Sequence, residues 1–423
     1  MKVGIIVDVE PGIHGGVASA VKSLVTALGR LDGPEKYILI ISSQAQADWL
    51  RPLAPNQEFA FHIRRRQNLV QRGARKILRV TLRMAGLTQD TGWIEVPLSD
   101  GFVESLDLDV VHFTTQAFTL CATPTVYNPH DLQHIHYPQF FTPRDLAWRD
   151  RIYRAACRLS HAIVVNSQWI KDDVIKQCNV PADRVQVIPE AAPTQFMQAI
   201  SDSDRTTVRE RYRLPEKFAL YPNNTWPHKN HLRLLEALAW LRDNKGTIVP
   251  LVCTGARHNP SWPRLQARME ELKLTEQVKF LGFVPEKDLR ALYQTARCVV
   301  VASLFEANSL PIFEAWAEGT PVVSSNVTAL PEQVGEAGLL FDPNDPAAMG
   351  SAIERVFHDD ALCADLAAKG RRRLADFDWA RTAIGYRAVY RKVAGRRLSE
   401  EDQAVLAHDW MRNPSPQSQM SPR

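Results

Sequence analysis

Glu306 and Glu314, with seven residues between them, flank a turn built to hold an anion. The apolar run Val299, Val300, Val301, Ala302 reads as a strand ending near Ser303, and Glu306, Ala307 and Asn308 form the turn after it. Asn308 or Ser309 suits the N-cap of a following helix, Pro311 is tolerated in its first turn, and Gly319 with Pro321 stops it. The next strand begins at once, so the segment is one βαβ unit. Amide N–H groups at such a helix start, here those of Ser309, Leu310 and their neighbours, lack helical acceptors, and the helix dipole favours negative charge beside them. A diphosphate meets both conditions. Glu306 stands before these donors and Glu314 about one turn inside the helix, placed to accept hydrogen bonds from sugar hydroxyls on either side. Acids also collect near helix starts because the dipole alone favours them; the strand-turn-helix context is what turns the reading toward a ligand.

Other strand ends carry chemistry of the same kind. Lys229, in Tyr221-Pro-Asn-Asn-Thr-Trp-Pro-His-Lys229-Asn-His-Leu232, follows an apolar strand. A lysine there can balance the charge growing on a departing diphosphate, whereas a cation at a helix start gains nothing from the dipole. Gly12, Gly15 and Gly16 lie between the first strand and the first helix, where a missing Cβ lets backbone approach a ligand; they do not form a GxGxxG fingerprint. His130, His134 and His136 follow another strand. His130 and His134 have the one-turn spacing of metal ligands, but no nearby glutamate or cysteine completes a set, and no metal is expected.

These residues must be held by elements, and the pattern supplies them. Strand-like runs at 3–7, 37–41, 110–113, 125–127, 162–165 and 185–188 alternate with helix-period segments, and 218–221, 249–253, 278–281, 298–301 and 322–324 repeat the theme. Continuous apolar strands separated by helices predict parallel sheets covered on both faces. The expected organisation is an α/β Rossmann-like domain over 1–195, a weakly patterned linker, a second over 205–380, a C-terminal helix over 381–397 packing back on the first domain, and a disordered polar tail over 398–423. Two doubly wound domains leave a cleft, and ligands in such sheets bind outside the carboxyl ends of strands.

Bulk properties agree with an ordinary globular protein: 423 residues, 45% hydrophobic, 23% charged, and a net charge of +4 that is too small to argue for nucleic acid, which is not expected as a partner. Six scattered cysteines without a CxxC pair read as reduced core thiols. The first apolar run is broken by Asp8 and Glu10 and reads as a strand rather than a signal peptide, and no run reaches the ~18 residues of a membrane span. A cytoplasmic protein is expected. The segment 62–83 is densely basic with an apolar face of Val70, Ala74, Ile77, Thr81 and Met84. It reads either as a surface helix with solvated arginines or as a helix lying on the anionic inner face of the cytoplasmic membrane.

Glu306 and Glu314 followed by Ala315-Trp-Ala-Glu-Gly-Thr-Pro-Val-Val323 resemble the signature of family 4 retaining glycosyltransferases, which have the two-Rossmann-domain GT-B fold. The likeness extends to Gly15-Gly16, His130-Asp131, the run from His161 to Ser167, Gly282-Phe283-Val284-Pro285-Glu286 and Phe377-Asp378-Trp379. The resemblance implies that Glu306 contacts the donor sugar, that Glu314 holds the ribose hydroxyls, and that amides of Asn308, Ser309 and Leu310 hold the phosphates. It assigns Lys229 to the leaving diphosphate, His130 to the donor sugar with Asp131 orienting its ring, and Gly15 and Gly16 to the sugar-diphosphate. The turn containing Val284 would seat the base. An arginine common in the family shortly before the lysine is absent here, where Asn223, Asn224, Thr225 and Trp226 stand; Asn224 is the donor contact expected from that stretch. The surroundings of Trp226 and His231 resemble bacterial surface-polysaccharide mannosyltransferases. The expectation is thus a retaining hexosyltransferase moving a sugar, GDP-mannose being the leading donor, to a glycan or lipid-linked saccharide, with no metal or other cofactor. A UDP-sugar donor, an epimerase or inverting enzyme of the same fold, and an inactive carbohydrate- or nucleotide-binding homologue are the alternatives.

Overall fold

The computed structural model describes residues 1–9, 15–62, 96–193, 196 and 200–410. Gly12 and nearly all of the basic segment 62–83 lie outside the described residues; only its first residue, His62, is seen, paired with Asp100 at 2.9 Å and stacked on Phe102.

Among the described residues thirteen strands assort into two sheets. The first contains β1 (Lys2–Ile6), β2 (Lys36–Ile41), β3 (Gln57–Phe61), β4 (Val110–Phe113), β5 (Thr125–Tyr127), β6 (Ala162–Val165) and β7 (Val185–Val187) in the order β3-β2-β1-β4-β5-β6-β7. The second contains β8 (Ala219–Pro222), β9 (Leu251–Thr254), β10 (Val278–Phe280), β11 (Cys298–Val301), β12 (Val322–Ser325) and β13 (Gly338–Phe341) in the order β10-β9-β8-β11-β12-β13. Every pairing is parallel. In both sheets the crossovers run one way from the first strand to the next two and the other way from the fourth. The switch points therefore lie between β1 and β4 and between β8 and β11, where helices diverge and leave a crevice. This is the GT-B architecture.

The inner strands β4, β6, β9 and β11 are buried along their whole length because helices cover both faces. Two strands were not expected. β3 and β13 are edge strands of half-exposed pattern, Gln-Glu-Phe-Ala-Phe and Gly-Leu-Leu-Phe, which breaks the continuous apolar signature.

In the C-terminal region a helix packs back on the first domain as expected, and the departure lies in the tail that follows it. The helix Trp379–Val393 crosses onto the first domain, where Thr382 donates to Pro189 O at 2.8 Å and Trp379 Nε1 to Ala192 O at 2.8 Å. Deeper in, Asn128 donates to the Tyr386 hydroxyl at 2.6 Å, and the Tyr390 hydroxyl meets His112 Nδ1 at 2.8 Å. The tail expected to be disordered from 398 instead forms a helix, Glu400–Ala407, started by a Ser399–Asp402 capping box. Asp402 is fully buried and binds Arg391 at 2.7 Å, Arg391 binds Glu35 at 2.9 Å, and Arg387 binds Glu401 at 2.6 Å. A polar composition concealed an ion-pair network rather than a solvated chain. Residues 411–423 lie outside the described residues.

No helix among the described residues is long and apolar enough to cross a membrane.

Candidate functional site

Neighbouring strands at the second sheet's switch point deliver Lys229 and Glu306. After β8 the chain makes a short 3-10 turn, Pro227–Lys229, and Asn230 at φ 60° redirects it into the helix His231–Lys245. Asn230 Nδ2 donates to Ala302 O at 3.1 Å and Pro343 O at 2.9 Å, and Leu304 N donates to His228 O at 2.8 Å. Those bonds stitch the β8 loop to the β11 loop. The Tyr221 hydroxyl donates to Lys229 O.

Across the stitch Lys229 Nζ lies 2.5 Å from Glu306 Oε1, with both side chains nearly withdrawn from solvent. Ser303 Oγ donates to the same oxygen at 2.6 Å, while Oε2 has no partner among the described residues. The Thr328 hydroxyl accepts from Glu306 N at 3.0 Å and donates to Glu306 O at 2.7 Å, fixing the backbone on both sides. Glu306 is thus an acceptor with one oxygen anchored and one open. Lys229 is a cation that an incoming polyanion can draw away.

The helix after Glu306 runs Leu310–Ala317 with Ser309 as N-cap. One expectation needs correction here. The Ser309 amide is not free: it donates to Gln333 Oε1 at 2.9 Å, and Gln333 Nε2 donates back to Ser309 O at 2.9 Å. The amides of Asn308 and Leu310, which have no acceptor among the described residues, remain as donors. The buried Ser309 hydroxyl also has no partner among the described residues. Asn308 turns its side chain across the cleft, donating to Glu190 Oε2 at 3.0 Å. Glu314 accepts from the Tyr293 hydroxyl at 2.5 Å; burial pushes its carboxyl up to about 7, with the tyrosine bond pulling the other way.

The first domain presents its own switch point. Gly15 and Gly16 begin the helix Gly15–Gly29, and a Cβ on Gly16 would sit 3.1 Å from Leu310 Cδ1, so the two helix starts face each other closely. His130 adopts φ 59° and its Nε2 lies 2.9 Å from Thr114 O. A carbonyl only accepts, so Nε2 carries the proton and Nδ1 is left as an acceptor. Thr114, not Asp131, orients the ring; Asp131 instead accepts from Gln133 N at 3.0 Å, and burial raises its carboxyl. His130, Thr114, Asn128 and Glu190 line one small cavity. The other two histidines go elsewhere. His134 is buried edge-on against Tyr153, and His136 pairs with Asp173 at 2.9 Å. Among the described residues no three His, Cys, Asp or Glu side chains gather as a metal site.

Asn224 and Val284 lie along the same sheet edge, after β8 and β10. Asn224 Oδ1 is committed to Ala256 N at 2.6 Å, and Val284 is buried beside Gly282. Gly255 joins these loops: its amide donates to Gly282 O at 2.8 Å, and at φ 102° a Cβ would stand 2.8 Å from Asn223 C and Asn224 N.

The structure therefore brings Lys229 against Glu306, sets Gly16 against Leu310, and links the Asn308 turn to the His130 cavity through Glu190. Asn224 and Val284 stand further along the rim. Sequence reading missed Glu190, Ser303, Thr328, Gln333 and Tyr293. Glu190 follows a strand end and Ser303 stands three residues before Glu306, so both were open to discovery by that rule; Thr328, Gln333 and Tyr293 act through partners remote in the chain.

Comparison with known proteins follows the same lines. Residues 204–373 match the family model "Glycosyl transferases group 1" and residues 14–196 match "Glycosyltransferase Family 4". The O-antigen chain mannosyltransferase B of Escherichia coli is 32% identical over 270 residues, covering 60% of this chain and 70% of that protein. The serotype-specific mannosyltransferase WbdA of Escherichia coli is 31% identical over 224 residues, 52% of this chain but only 28% of that longer protein. The crystal structure of Anabaena HepE with UDP and glucose superposes with a TM-score of 0.68 at 19% identity, covering 93% of this chain and 100% of that one.

Proposed function

The chain belongs to glycosyltransferase family 4, and from that premise we propose that it transfers mannose from GDP-mannose, with retention of configuration, to a glycan or lipid-linked saccharide in bacterial polysaccharide or glycolipid assembly. The observation that carries the reading is the Lys229–Glu306 contact of 2.5 Å at the second domain's switch point, beside a helix start with open amides. A diphosphate laid on the Asn308 and Leu310 amides recruits Lys229 by charge. Glu306, released from its cation and still held by Ser303 at 2.6 Å, turns its acceptor oxygens to the sugar hydroxyls. Glu314 takes ribose hydroxyls once ionised. His130 offers Nδ1 to the sugar from the opposite wall.

The reaction in this reading is a same-face substitution. The bond from the anomeric carbon to the departing phosphate oxygen breaks as the acceptor oxygen bonds to that carbon. The acceptor's proton passes to the phosphate oxygen that leaves. The protein contributes orientation, a fixed positive charge and exclusion of water, with no covalent intermediate and no resident metal required. The mannose assignment is supported by the relatives' names, O-antigen chain mannosyltransferase B and WbdA.

Turnover of GDP-mannose with and without saccharide acceptors, beside UDP- and ADP-sugars, tests the reading, with NMR of the product's anomeric centre testing retention. Glu306→Ala and Lys229→Ala should each cut turnover about 100-fold or more while the protein stays folded. Full activity in both variants, or no thermal stabilisation by any nucleotide sugar, would overturn it.

A further inference from the structure

Two adjacent side chains on the short helix Leu330–Val334 reach opposite ways. Glu332 Oε2 accepts from Gln168 N at 2.9 Å and its Oε1 from Trp169 N at 2.8 Å. Both amides open the helix Gln168–Cys178 of the first domain, whose N-cap Ser167 takes the next one, Ile170 N, at 3.2 Å. A carboxylate from one domain thus satisfies the helix start of the other, where the dipole strengthens its hold. Gln333, the next residue, grips Ser309 by both its N–H and its carbonyl. Arg373 braces the pair from behind, donating to Glu332 O at 2.9 Å and Gln333 O at 3.3 Å.

A second cross-domain contact reaches the same turn. Phe305, directly before Glu306, is buried between His136 and Trp169 of the first domain, with ring centroids at 5.4 and 5.6 Å, and the Tyr137 hydroxyl donates to Leu304 O at 3.1 Å.

We infer that Glu332 and Gln333 are positioning residues that couple closure of the two domains to the shape of the donor-binding turn. Glu332 reaches Gln168 and Trp169 only while the domains are together. When they part, its carboxylate loses the helix start, the short helix is held on one side alone, and Gln333 loosens its grip on Ser309. Closing reverses each step, so the turn that presents the Asn308 and Leu310 amides is set when the cleft shuts. The inference deepens the proposed transferase reading and rests on it only for the consequence at the donor; the bonds themselves are independent of any ligand.

Amide hydrogen exchange on the full chain without nucleotide tests it, so failure here is distinct from failure of the donor assignment. Glu332→Ala should speed exchange at Gln168 and Trp169 about tenfold or more, the factor for one lost bond of 1.4 kcal/mol, and should speed Ser309 as well. Strands β1 and β2 should be unchanged, which separates coupling from general destabilisation. Gln333→Ala should speed Ser309. Glu332→Gln, isosteric with one accepting oxygen left, should restore protection partly at Gln168 or Trp169 and in like measure at Ser309; it also serves if the alanine variant does not fold. Unchanged exchange at Gln168 and Trp169 in Glu332→Ala would refute the latch. Faster exchange there with Ser309 unmoved would refute the coupling.

Discussion

Replacing Glu314 by glutamine should stabilise the protein at alkaline pH while weakening its hold on nucleotide. Burial raises the Glu314 carboxyl from the ordinary 4.5 to about 7. At 1.36 kcal/mol for each tenfold change in proton affinity, that rise corresponds to about 3 kcal/mol. The direction follows from the raised value. Below pH 4.5 the carboxyl is protonated whether the chain is folded or not, and it contributes nothing. As pH climbs from 4.5 through 7 the unfolded chain ionises first, so the folded state loses stability, and above 7 the full loss remains. Glutamine cannot ionise and still accepts from the Tyr293 hydroxyl, which lies 2.5 Å from Glu314 Oε2. Because Glu314 as a residue is only partly buried, about 3 kcal/mol is an upper bound for the gain at pH 8.5, and the gain should fall below about 1 kcal/mol at pH 5. Urea titrations of both proteins at the two pH values measure the difference. In parallel, wild-type nucleotide affinity should fall as pH drops through 7, since protonation removes an acceptor. A stability difference that does not change between pH 5 and 8.5 would refute the argument, and so would a variant less stable than wild type at the higher value.

Other perturbations follow from the same contacts. Lys229→Ala leaves the Glu306 carboxylate without its cation, which should cost about 3 kcal/mol of stability, part of it recovered in the double variant with Glu306→Ala; chemical denaturation of the four proteins completes the cycle. The same lysine variant should lower kcat about 100-fold or more, measured with saturating donor. Asp402→Asn should destabilise by about 3 kcal/mol and release the helix Glu400–Ala407 to proteolysis, because Arg391 would keep only Glu35; a cleavage rate like that of wild type would contradict this. Gly255→Ala should lower the melting temperature, with backbone strain alone costing about 1–3 kcal/mol before the clash with Asn223 and Asn224 is counted.

The protein's sequence makes its layered architecture legible for a simple reason. A strand covered on both faces is largely apolar, and β4, β6 and β11 announce themselves as Val-Val-His-Phe, Ala-Ile-Val-Val and Cys-Val-Val-Val. Edge strands β3 and β13 carry no such constraint and stayed hidden. Lys229 and Glu306 were readable as strand-end residues because a strand, its turn and the next helix are written contiguously. Their contact was not, since it depends on β8 and β11 lying side by side in a sheet whose order departs from chain order.

What the amino-acid sequence determined by itself is local: which runs become strands, where helices start and stop, and which polar groups stand at their ends. Only the tertiary structure decided which of those groups meet. Gln333 occupying the Ser309 amide, Tyr293 meeting Glu314, Glu190 answering Asn308 across the cleft and Arg391 reaching Glu35 all join residues far apart in the chain. Periodicity and spacing record a residue's own neighbourhood, whereas a hydrogen bond between distant segments is set by how whole sheets and domains pack, and that information is spread over every core side chain at once.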